Sequence, residues 1–168
     1  MDGLIYHPAF DLYNCIFRML QILTTSKQEE VELDRLRIWD FYLVFPREMK
    51  NISIPNELAF LREYKRRDRS VNPYEDLIDP KSVFDRMNSF QMAALRCLAS
   101  YLFIDVDQLE KRIIKKTRKE IPDELRAKLS DLNEDQMVVM KYIEGFREFP
   151  LHGLKERTAL IEFKYDSR

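Results

Sequence analysis

Glycine occurs only three times in this 168-residue chain, at positions 3, 145 and 153. Tight two-residue hairpins need residues that adopt positive φ, and glycine is their main supplier, so a β-sandwich or barrel built on many such turns is excluded. Helices are expected to dominate. The same scarcity removes phosphate-cradling loops of the Walker or dinucleotide type, which expose successive backbone N–H groups through clustered glycines.

Hydrophobic periodicity agrees with a helical chain. A first helix is expected to begin near Pro8, with Asp11 at its positive end; Phe10, Tyr13, Phe17, Leu20 and Leu23 recur at three- and four-residue steps. Cys15, Ile16 and Met19 widen that stripe, and Thr24-Thr25-Ser26 ends the helix. A second helix is expected from about Glu29 to Phe45, stopped by Pro46. The pair makes an αα-hairpin, which is also the minimal skeleton of a helix-turn-helix, and spacing does not separate the two. Ile52 to Ile54 reads as a short β-like alternation, and Asn56 as the cap of a helix through Leu58, Leu61 and Tyr64. Asn72-Pro73-Tyr74 forbids a continued helix.

That break places a boundary between two lobes, 1–70 and 71–168, with one cooperative unit as the default for a chain of this length. The second half restarts at Asp79-Pro80, a cap followed by proline at the first helical position. Phe90, Ala94, Leu95, Leu98, Tyr101 and Leu102 then lie along one side of a helix. Asp105 with Gln108 predicts another cap, with Leu109, Ile113 and Ile114 inside the helix it starts, and Pro122 opens a further short helix. Asn133 with Gln136 repeats the capping spacing before Met137, Met140, Ile143 and Phe146, and Gly145 with Pro150 marks the exit. The tail from Ala159 to Tyr165 alternates with period two and predicts one strand. It would pair with the Ile52–Ile54 segment, with Leu4-Ile5-Tyr6, or with an edge on another chain. The expected fold is therefore mainly α: a helical bundle of two lobes with αα-hairpin or helix-turn-helix-like packing and a small peripheral β element.

A formal net charge of −1 carries no global basic excess, and no run of eighteen apolar residues reads as a membrane span. The two cysteines, Cys15 and Cys97, sit among apolar residues without metal-ligand spacing, which points to a reduced, cytoplasmic compartment. No cofactor or metal is expected.

The opening Tyr6-His7-Pro8-Ala9-Phe10-Asp11-Leu12-Tyr13-Asn14-Cys15, then Arg18-Met19-Leu20, and then Arg35-Leu36-Arg37-Ile38-Trp39-Asp40-Phe41-Tyr42-Leu43-Val44-Phe45-Pro46 form a distinctive signature. It resembles the middle-component family of bacterial ABC-three-component systems, with looser agreement at Phe90–Leu95 and Gly153–Phe163. The resemblance implies an anti-phage operon related to Lamassu. In such an operon a small middle component links an SMC-like ABC ATPase to an effector, often a nuclease, and does no chemistry itself.

Aromatic anchors supply much of the energy of protein interfaces, which makes Tyr6, Phe10, Tyr13, Trp39 and Tyr42 candidate partner contacts; at helical spacing the same rings serve a core equally well. His7, ahead of Pro8, is expected to hydrogen-bond Asp11 or to cap a backbone group, and it joins the candidate contact set. Catalysis by His7 would need a nucleophile and an orienting carboxylate close by, and only Asp11 and Asp40 are plausible neighbours. Cys15 with His7 is a further nucleophilic pairing that the spacing does not support. Two basic runs stand out: Arg62, Lys65, Arg66, Arg67 and Arg69, and Lys111, Arg112, Lys115, Lys116, Arg118 and Lys119. They read as solvated helix ends or, facing one side together, as a track for weak DNA contact. The expected role is a non-enzymatic bridging subunit, with a helix-turn-helix DNA binder and a small enzyme as alternatives.

Overall fold

The computed structural model describes residues 7–65, 77 and 79–161. Helices account for most of it. The chain enters through two successive caps. His7 Nδ1 accepts the Ala9 N–H at 3.0 Å and starts a 3-10 turn, Pro8–Phe10; Asp11 Oδ2 then accepts the Asn14 N–H at 2.8 Å and starts α1, Leu12–Thr25. Each cap satisfies an N–H group that the first helical turn leaves without a partner.

The second predicted helix begins later than its spacing suggested. Glu30–Glu32 is a strand, β1, and only then does α2 run, Leu33–Val44, ending before Pro46. The strand partner is β2, Ile113–Lys115, antiparallel, with Val31 opposite Ile114. Here the expected continuation of a helix through Ile113 and Ile114 fails. The helix that Asp105 caps, α5, spans only Val106–Glu110, and Arg112 at φ 64° turns the chain back. Two β-branched residues beyond that reversal then suit a ladder better than a helix.

The β element is thus internal, and the tail does not begin as the predicted strand. Ala159, at φ 56°, is the left-handed end of α8, Leu151–Thr158, and Leu160 beyond it is buried. The rest of that tail, Phe163 and Tyr165 included, lies outside the described residues, as do Leu4-Ile5-Tyr6. Ile52 to Ile54 is not a strand either: Ile52 and Ile54 are buried, and the Ser53 N–H donates to the Arg157 carbonyl at 3.0 Å. Asn56 caps nothing. A 3-10 stretch, Asn56–Leu61, kinks at Leu58 and passes into a single α turn, α3, Arg62–Lys65.

In the second half the predicted caps hold. Asp79 accepts the Ser82 N–H at 3.1 Å and Pro80 opens α4, Pro80–Ser100. After Pro122 comes α6, Asp123–Leu129. Asn133 and Gln136 bond reciprocally, each at 2.8 Å, to start α7, Glu134–Gly145. The most extensive helix pairing is α1 with α4. They lie side by side in the same sense: Phe10 ahead of α1 meets Phe90 at 5.9 Å, while Lys116, beyond the end of α4, binds the Leu23 and Ser26 carbonyls at the end of α1. One apolar core runs from Ala9 to Leu160 and draws on both halves. Among the described residues no helix is long and apolar enough to cross a membrane.

Candidate partner-binding surface

Every residue of α2 from Leu33 to Leu43 is buried, charged ones included. Such burial requires partners, and the charges supply them to one another. Asp40, wholly inaccessible, accepts from Arg18 Nε at 2.6 Å, Arg18 Nη2 at 3.3 Å and Gln91 Nε2 at 2.9 Å. Gln91 Oε1 in turn accepts from Arg37 Nε at 2.9 Å, and the Arg37 guanidinium lies 4.5 Å from the Phe84 ring. Asp34 gathers three cations: Arg37 at 3.4 Å, Arg112 at 2.6 Å and Lys155 at 2.9 Å. Arg35 bonds Glu32 and reaches the carbonyls of Phe146 and Phe149. The charged signature residues therefore form a hub that ties α1, α4, α8 and the turn before β2 onto α2.

The electrostatics follow from this packing. Burial would raise the Asp34 pKa, but the Lys155 hydrogen bond and the Arg112 charge outweigh it and hold the carboxyl below its usual range. Burial alone would lower the Arg18 pKa; the Asp40 charge and hydrogen bonds raise it. The same pocket keeps Cys15 protonated, because burial first and then the Asp40 charge push the thiol upward, away from the thiolate that nucleophilic chemistry needs.

The candidate contacts divide. Trp39 and Tyr42 are 1% and 2% exposed, and Trp39 packs on Tyr42 at 5.8 Å and Phe146 at 5.7 Å. Their rings build the core and offer no surface to a partner. Tyr13 is 81% exposed. Phe10 is half-buried, with the Arg86 guanidinium 4.3 Å from its ring, and exposed His7 stacks on Phe45 at 5.3 Å. Burial, and then the Arg18 charge, lower the His7 pKa, which keeps the imidazole neutral with Nδ1 able to accept the Ala9 N–H. His7, Phe10 and Tyr13 thus share the edge where α1 begins. Tyr6 lies outside the described residues.

Among the described residues, several cations of the two basic runs have partners within the fold. Arg62 donates to the Ile54 carbonyl and Asn56 Oδ1, Lys65 closes α3, and Arg66, Arg67 and Arg69 lie outside the described residues. In the second run Arg112 turns to Asp34 and Lys116 Nζ binds two carbonyls at the end of α1. Lys115 sits opposite Glu30 in the ladder, while Lys115 and Arg118 are exposed.

The periodicity placed Tyr101 and Leu102 on the apolar side of α4, and that placement fails. The helix ends at Ser100, Leu102 takes φ 65°, and the two side chains are 64% and 63% exposed. The predicted cap at Asp105 signalled that a stop had to precede it; no glycine or proline marked where.

The described residues thus form a mainly helical fold with an ion-pair hub at its centre and exposed apolar residues at its edges. The sequence matches the family of ABC-three component (ABC-3C) system Middle Component 5 over residues 4–166, and the chain belongs to that family. No curated protein and no solved structure matches it.

Proposed function

We propose that this chain is a non-enzymatic bridge between the ABC ATPase and the effector of its system, serving anti-phage defence. The observation that carries the reading is the separation of two regions with exposed side chains, one at the start of α1 and one just beyond the end of α4. Exposed Tyr13 lies on the first turn of α1, close behind half-buried Phe10, which meets Phe90 midway along α4, and exposed Tyr101 and Leu102 follow the end of α4. Residues 90 and 100 are about 15 Å apart along α4, which rises 1.5 Å per residue, so the two regions are separate patches. Membership in a family of middle components supports the same reading.

Bridging regulates an effector only through a difference in affinity between states. An ATPase that changes conformation on DNA would hold the middle component differently before and after, and release or engage the effector accordingly. Co-expression of the tagged chain with the other two components tests the bridge. Recovery of a ternary complex, with neither companion binding the other when this chain is omitted, is expected. A ternary complex that forms equally well without it would refute the role.

A further inference from the structure

The entry turn Pro8–Phe10 is held by three ties of different kinds. Phe10 meets Phe90 at 5.9 Å, with the Arg86 guanidinium 4.3 Å from its ring. Arg18 Nη1 donates to the Pro8 carbonyl at 2.9 Å, while its Nε binds buried Asp40 at 2.6 Å, and a guanidinium keeps its proton at any pH a cell meets. The third tie is the imidazole of His7. The N–H of Ala9, a residue with no exposed surface, donates to His7 Nδ1 at 3.0 Å, and the His7 ring stacks on half-buried Phe45 at 5.3 Å with 19° between the planes.

Nδ1 accepts that N–H only while it is unprotonated, with the ring proton on Nε2. A proton on Nδ1 would set a donor against a donor and add a cation near Arg18. The acids packed around the turn are already engaged: Asp11 caps Asn14, Asp40 of α2 binds Arg18 and Gln91, and Glu48, past the stacked Phe45, binds Asn51 and the Leu77 N–H. The remaining charges on those elements, Arg86 of α4 and Arg47 and Lys50 after Phe45, are positive. Burial and the Arg18 charge accordingly lower the His7 pKa from its ordinary value of 6.5.

We propose that His7 is a proton-operated latch on the entry turn: neutral, it caps Ala9 and covers Phe45; protonated, it swings off both. The Arg18 and Phe90 ties keep Pro8 and Phe10 in place, so the change is local. It leaves the buried Ala9 N–H without its acceptor and uncovers the Phe45 ring at the edge where α1 begins. The sign follows from a folded pKa below the unfolded one: the stability that the neutral latch contributes is present above the unfolded value and is lost as pH falls through the folded value. The latch needs no companion protein, so its failure would leave the bridge untouched.

NMR titration of the isotope-labelled full-length chain from about pH 8 to about pH 5 tests the latch. At the upper end the His7 ring nitrogens are expected to show the Nε2–H tautomer. On acidification the imidazole should titrate below 6.5, with the Ala9 amide and the Phe45 ring signals moving on the same curve. The Gln136 amide, capped by an asparagine that does not titrate, should stay still. His7→Asn keeps an uncharged side-chain acceptor suited to a cap and is expected to abolish the Ala9 step. An Nδ1–H tautomer, a midpoint at or above 6.5, or an Ala9 amide that ignores the His7 titration would each overturn the latch. So would an Ala9 step that persists in His7→Asn; if that variant does not fold, the wild-type titration decides alone.

Discussion

The α2 segment and the stretch from Tyr101 to Lys119 draw on the same kinds of side chain, aromatic rings beside arginines, yet one is sealed and the other faces water. In α2 the helix continues through charged residues because each meets an opposite charge or a carbonyl on a neighbouring element. In the second stretch two left-handed reversals, at Leu102 and Arg112, break the helix and re-aim the side chains. One throws Leu102 outward; the other sends the Arg112 guanidinium to Asp34. Composition is thus a poor guide to which side chains are exposed, and the backbone reversals decide where these two point.

The sharpest way to break this contrast is to remove Asp40. Asp40→Ala leaves the Arg18 charge buried without its carboxylate and removes one of the two acceptors of Gln91 Nε2, a class of change that costs about 3–5 kcal/mol. Urea unfolding followed by the fluorescence of Trp39, the one tryptophan, is expected to show that loss. We also propose that the two halves unfold together: the Trp39 and far-UV circular dichroism transitions should coincide. A loss under about 1 kcal/mol would mean that the hub is dispensable.

Asp34 gives the next effect, through pH. Its folded pKa lies below the unfolded value of about 3.9, so the carboxylate binds fewer protons folded than unfolded in that range. The stability it contributes is present above the unfolded pKa and is lost as pH falls through the folded one. Asp34→Asn is expected to lower stability at pH 7 by about 1.5–3 kcal/mol, the range for hydrogen bonds to charged groups. It should also flatten the acid limb, so that the two curves of stability against pH converge below about pH 4. Parallel curves would show that Asp34 does not titrate with folding.

These residues also mark what the sequence made legible. Scarce glycine implied a helical chain, and the caps at Asp79, Asp105 and Asn133 were readable because each rests on a local bond within four residues. The hub was invisible: Asp40, Arg18 and Gln91 meet across 22 and 51 residues, and periodicity reports faces rather than partners. β1 and β2 escaped for the same reason, being three-residue strands more than eighty positions apart. Which aromatic rings reach the surface was not readable, since aromatic spacing does not distinguish exposed Tyr13 from Trp39 in the core.

Glycine itself allows a finer comparison, because the two described glycines serve packing. A Cβ at Gly145 would lie 2.9 Å from Leu61 Cδ1, and Leu61 is fully buried with little room to turn. Gly145→Ala should gain about 1 kcal/mol of helix propensity and lose about 2 kcal/mol to overpacking. The net loss of about 1 kcal/mol would appear as a lower urea midpoint. A gain in stability would show that Leu61 yields freely.

Ala159 tests the opposite case, a left-handed position filled by the wrong residue. It ends α8 at φ 56°, exposed, with its N–H on the Lys155 carbonyl at 2.9 Å, so nothing is packed against its methyl group that a variant would forfeit. Left-handed backbone costs an L-residue about 1–2 kcal/mol, and glycine returns about 0.4–1 kcal/mol of that through its freer unfolded chain. Ala159→Gly is therefore expected to stabilise the protein by about 0.5 kcal/mol, a small rise in the urea midpoint, without altering partner binding. Leu102→Gly shares the backbone argument and removes a larger exposed side chain. If the two variants gain alike, the left-handed backbone sets the cost at both stops; if Ala159→Gly destabilises, these turns are held by something other than their local bonds.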